Sequence, residues 1–155
     1  MASTLTAAAL TVTITESIEL NGKNQGGTNT LSIGSVATIS KRIIDVPASE
    51  VEIIAMSTAV ASGTFVEGDV RYIRITNLDD TNHVTLTFKD EDNTEFAVKL
   101  DKGQSFIYNG DLSGGVVDTM HAGGSALTVS LNDLVNVTAL ADTAACDVEV
   151  FVAST

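Results

Sequence analysis

Apolar and polar residues alternate along much of the chain. Over residues 10–20, Leu10, Val12, Ile14, Ile18 and Leu20 fall on one side, with Thr11, Thr13, Thr15, Ser17 and Glu19 on the other. A period of two is the repeat of a pleated strand, whose successive side chains point to opposite faces. The segment predicts one long strand with a single wet side. Asn21-Gly22 ends it, and residues 23–30 predict a loop in which Gly26-Gly27 take positive φ at little cost. A second strand is expected over 36–46, closed by Pro47, and a shorter one over 50–55. VRYIRITN at 70–77 is the next. Then comes the best-defined hairpin: Val84, Leu86 and Phe88 alternate outward, Asp90-Glu91-Asp92-Asn93 turns the chain, and Phe96, Val98 and Leu100 alternate back. Asp101-Lys102-Gly103-Gln104 predicts a further turn, with a strand over 105–108.

The C-terminal third continues with candidate strands at 114–120, 127–131, 134–140 and 145–152, divided by turns at 121–125 and Asn132-Asp133. Residues 134–145 are the one stretch whose pattern also suits a helix. About ten to twelve short strands with a turn signal roughly every 8–12 residues are the mark of a sandwich or barrel. The expected fold is therefore all-β. It is a single antiparallel β-sandwich, jelly-roll-like, of about 8–12 strands over residues 10–155, preceded by a strand-forming N-terminal arm at 1–9.

Composition supports this reading. Thr, Val and Ile together supply 48 of 155 residues, and branching at Cβ favours strands over helices. Twenty acidic and eight basic residues give a net charge of -12. The basic residues all lie between Lys23 and Lys102, so 103–155 carries six carboxylates and no cation. Such a surface repels phosphates, which argues against a nucleic-acid partner. No run approaches the roughly 20 apolar residues of a membrane helix, and MASTLTAAALTVTITE lacks the basic start and apolar run of a signal peptide. The expectation is a product made in the cytoplasm with no membrane partner. Cys146, the single cysteine, is expected to be a buried core residue.

Candidate chemistry is sparse. His83 and His121 lie in separate turns and belong to no metal-ligating or catalytic pattern, and there is no nucleophile elbow, phosphate loop or dinucleotide fingerprint. No enzyme activity and no cofactor are expected. Asp90, Asp92 and Glu95, with Asn93, begin like a calcium loop, since calcium takes several oxygen ligands. Yet Glu95 stands where that loop needs glycine, and a polar hairpin turn explains the same residues. Asp79-Asp80 is a second acidic candidate. Sugar platforms need exposed rings; Phe88, Phe96, Phe106 and Phe151 fall in strand patterns as core, which leaves Tyr72 and Tyr108 as partly exposed rings.

The run YIRITN (72–77), VTLTF (84–88), an acidic hairpin and FAVKLDKGQSFIY (96–108), with the closing CDVEVFVAS (146–154), resembles small structural proteins of tailed-bacteriophage virions. Leu100-x-x-Gly103-x-x-Phe106 is its most specific element. The resemblance implies a virion component without catalysis: a capsid decoration or cement protein, or a tail or fibre component. It implies major capsid or other virion proteins as partners, and a homo-oligomer, a trimer first. An assembly protein needs strands and arms for partner chains to pair with. The arm, the long strand at 10–20 that follows it and the loop at 23–30 supply the interface candidates Leu5, Leu10, Val12, Ile14, Asn24 and Gln25. A carbohydrate- or calcium-binding adhesion module is the alternative from another class.

Overall fold

A computed structural model describes residues 4–110, 112 and 132–155. The candidate strands at 114–120 and 127–131, and His121, lie outside the described residues. Among the described residues every regular element is a strand: β1 Ala8–Thr15, β2 Glu19–Leu20, β3 Lys23–Asn24, β4 Thr28–Val36, β5 Thr38–Val46, β6 Val51–Ser57, β7 Phe65–Val66, β8 Val70–Asn77, β9 Val84–Asp90, β10 Glu95–Leu100, β11 Ser105–Asn109, β12 Leu134–Ala141 and β13 Cys146–Ser154.

Two sheets form a sandwich. One has the order β10-β9-β12-β6-β7, the other β11-β8-β13-β5, antiparallel throughout except for the short parallel pair β6–β7. The alternation read in the sequence explains their packing. Val84, Leu86 and Phe88 of β9, Ile73 and Ile75 of β8, and Val148, Val150 and Val152 of β13 are fully buried in the common core. Phe88 is its centre: its ring stacks on Phe96 at 4.8 Å and meets Phe106 at 4.9 Å and Tyr108 at 6.1 Å. Such ring pairs add about 0.5–1.5 kcal/mol each beyond the area they bury. Asn93, at φ 62°, and Gly103, at φ 71°, supply left-handed backbone in the two turns expected at 90–93 and 101–104. Residues 134–141 form a strand because β12 lies between β9 and β6 and its Val137, Ala139 and Ala141 enter the core. Buried Asn77 is satisfied on both ends of its amide: Nδ2 donates to Asn82 O at 2.9 Å and Leu100 O at 3.1 Å, and Oδ1 accepts from Asp79 N at 3.0 Å.

The N-terminal third departs from its sequence pattern. The long strand expected over 10–20 breaks after Thr15, and β2 pairs with β3 instead of continuing it. The expected loop at 23–30 is largely strand, because β4 already begins at Thr28. The strand expected over 36–46 begins at Thr38: Val36 ends β4, Ala37 between them donates its N–H to Ser154 O at 2.9 Å, and Ser35 takes φ 59°. Tyr72, expected to be partly exposed, is buried.

Candidate interaction surface

Among the described residues strands β1 and β4 pair only with each other, in register from Leu10↔Ile33 to Thr15↔Thr28. One face of this ribbon carries Thr11, Thr13 and Thr15 opposite Ser32, Thr30 and Thr28, and it points to solvent, with Thr–Thr hydroxyl contacts of 3.4 and 3.3 Å. The other face sits on the outer side of the β11-β8-β13-β5 sheet. There Ile33, Val36, Tyr72 and Ala153 make a second buried cluster, flanked by half-buried Leu10, Val12, Leu31, Ile107 and Phe151. Tyr72 meets Phe151 edge-on at 6.0 Å. Burial here pushes the Tyr72 hydroxyl above its ordinary value.

Past the ribbon the chain folds back tightly. Glu16 N donates to Gly27 O at 2.8 Å, and Gln25 N donates to Ile18 O at 2.9 Å. A Cβ at Gly26 would lie 2.0 Å from the Glu16 carbonyl oxygen. Glycine is required at 26 for close approach, then, and not for the positive φ expected of it. Left-handed backbone falls instead at Asn21 and Gly22.

The interface candidates divide. Leu5 is 69% exposed, Ile14 is also exposed, and Asn24, at the end of β3, and Gln25, just after it, lie open, with Asn24 Oδ1 accepting from Gly26 N. Leu10 and Val12 face the sheet beneath the ribbon and are half-buried. The structure adds Ile18, Leu20, Ile39 and Ile43, all exposed. Ile18 and Leu20 are visible in the alternation but were expected to share a buried face with Leu10. Ile39 and Ile43 lie on the outer face of β5, next to Ala153 and Glu149 of β13. Their one sequence signal is that β5 is apolar at both parities, with Ile44 and Val46 turned inward.

Charge on that outer face is organised around Glu149, which accepts from Arg74 and bridges Lys41 at 3.2 Å. Arg74 also stands 5.9 Å over the Phe151 ring. The hydrogen bonds from Arg74, then from Lys41, hold the Glu149 carboxyl below its ordinary value. Asp45 lies directly across from Asp147 in the β5–β13 register, a like-charge pair. Together with Asp79 and Asp80 these two line one open cleft.

The calcium candidates are occupied with their own turns. Buried Asp90 accepts from Thr94 N at 2.7 Å and from Asn132 Nδ2 at 3.3 Å, and Asp92 accepts from the same Asn132 nitrogen at 2.8 Å. Glu95 is exposed and pairs in register with Lys89 across the hairpin, so the structure brings Asp90 and Asp92 together and leaves Glu95 outside. Asp79 Oδ1 accepts from Thr81 N and Asn82 N, which lowers its carboxyl below the ordinary value. Among the described residues no three His, Cys, Asp or Glu side chains are arranged to hold a metal ion. His83 Nδ1 lies 3.5 Å from Asp142. Cys146 is buried, and burial, followed by the carboxylates of Asp79, Asp142, Asp45 and Asp147, pushes its thiol up. That is the opposite of what a reactive thiolate requires. Neither protein-family models nor curated proteins gave a match to this chain.

Proposed function

We propose that the chain is a non-enzymatic structural protein of a phage virion, a capsid decoration or cement protein that holds neighbouring subunits through its N-terminal ribbon. One observation carries this reading. The principal core takes its residues from Ile44 onward, so the ribbon and its turn contribute nothing to it. Together with the residues just before β1 they nevertheless hold Leu5, Ile14, Ile18 and Leu20 in water. Exposed apolar groups on an appended, strand-forming element are what a partner chain covers. The resemblance over 72–108 supplies the kind of partner, namely major capsid or other virion proteins, and the acidic surface suits the outside of a particle. A homo-oligomer on the shell is part of the same proposal.

Quantitative mass spectrometry of purified particles from the source tests it. The expected result is this chain in a fixed ratio to the major capsid protein, with immunogold label over the head. A full-length Leu5→Ser/Ile18→Ser/Leu20→Ser variant should keep its melting temperature and leave the particle. Absence from particles, or a glycan-array signal from a chain that associates with no protein, overturns the reading.

A further inference from the structure

Strand β5 is the edge of its sheet: among the described residues its only ladder partner is β13. Nine residues of strand, Thr38–Val46, thus present one row of backbone donors and acceptors with no described strand beside it. The outer-face side chains along it are Ile39, Lys41, Ile43 and Asp45. Ile43, within the strand, is 61% exposed, which is high for a large apolar group there, and Ile39, at the start of β5, is 58% exposed. The order of charges is antisymmetric about Ile43, with a cation two residues before it and a carboxylate two residues after.

We infer that β5 pairs with β5 of a second copy, antiparallel and centred on Ile43, making one continuous sheet across a two-fold axis. In this register Lys41 stands opposite Asp45 of the other copy, twice by symmetry, and Ile43 meets Ile43 on the axis. Directly opposite side chains in an antiparallel pair lie about 4.5–5.5 Å apart at Cβ, close enough for both contacts. The alternatives are repulsive or mismatched. Parallel in-register pairing puts Lys41 beside Lys41 and Asp45 beside Asp45. Moving the axis to Lys41 or to Asp45 sets like charges face to face, and moving it by one residue sets Ile43 against Lys41 or Asp45. The charges that blunt this edge against indiscriminate pairing therefore select one arrangement. The arrangement also relieves a fault inside the single chain: Asp45, set against Asp147 across the ladder, gains a cation on its open side. Arg42 does not obstruct the edge, because its guanidinium reaches across the sandwich to the Ile53 carbonyl. This pairing stands independently of any role of the ribbon in a particle.

Sedimentation velocity of the full-length chain, over a dilution series in low salt, reads the result. The expected species has twice the 16.1 kDa chain mass. Lys41→Asp and Asp45→Lys, each alone, should weaken the dimer at least about tenfold, and the Lys41→Asp/Asp45→Lys double variant should restore it. Melting curves recorded alongside show that each variant is folded. Because Lys41→Asp also removes a partner of Glu149, Ile43→Ser serves as a second disruption that neither removes nor adds a charge beside Glu149. A monomer or a trimer from the wild type, dimers of undiminished affinity from the single variants, or a double variant no better than the singles would overturn the inference.

Discussion

Ile33→Ala separates the ribbon from the sandwich energetically. Ile33 is 1% exposed and sits in the second cluster against Tyr72 and Ala153, on the far side of the sheet from the principal core. Truncating a buried isoleucine to alanine costs about 2–5 kcal/mol, the sum of lost transfer energy and the cavity left behind. The lower part of that range, about 2–4 kcal/mol, is expected here, because a two-stranded ribbon can settle into part of the gap. The loss should appear locally, since no ribbon residue belongs to the principal core. Amide hydrogen exchange measured residue by residue is the assay. Protected amides of β1 and β4 should exchange roughly 30- to 700-fold faster, the same energy at about 1.4 kcal/mol per decade. Amides of β8, β9 and β13 should be unchanged. Phe88→Ala is the contrast: at the centre of the principal core it should cost about 3–5 kcal/mol and speed exchange everywhere. Equal acceleration of ribbon and core amides in Ile33→Ala would refute the separation, and with it the argument that the ribbon is free to serve a partner.

Two other outcomes follow from local geometry. Gly26→Ala drives a methyl into the Glu16 backbone and should cost about 1–3 kcal/mol, while Gly27→Ala, whose Cβ meets nothing closer than 3.9 Å, should stay within about 0.5 kcal/mol; thermal melts of the pair check this. Glu149 has its folded-state pKa lowered, so its ion pairs stabilise the fold above its ordinary value of 4.5, and this stabilisation is lost as pH falls through the folded value. The stability difference between wild type and Glu149→Gln should accordingly be present at neutral pH and vanish in strong acid, and a pH-independent difference from urea titrations would contradict the assignment.

Much of the sandwich was legible because its strands bury one face each. In β9 and β10 the period of two survives from sequence to structure, and left-handed backbone falls at Asn93 and Gly103, inside the two turns expected at 90–93 and 101–104. Burial enforces that pattern: one misplaced side chain in such a strand would put a polar group into the core. The N-terminal third is under no such constraint. Its ribbon covers the back of a finished sheet, so an apolar side chain there can face the sheet, as Val12 does, or water, as Ile18 does, and alternation does not distinguish them.

Side-chain type and local period are enough to make this an all-β chain with its core in alternating strands and an acidic surface, since those properties need no contact between distant segments. Tertiary structure decided what partners have to work with. Which apolar residues stay exposed depends on which strand ends up at an edge, and β5 is an edge only because β13 lies between it and β8. Likewise Tyr72 is buried because a ribbon far away in sequence folds over it, and Gly26 is obligatory because Glu16 comes back against it. These are contacts between distant segments, and no local pattern encodes them.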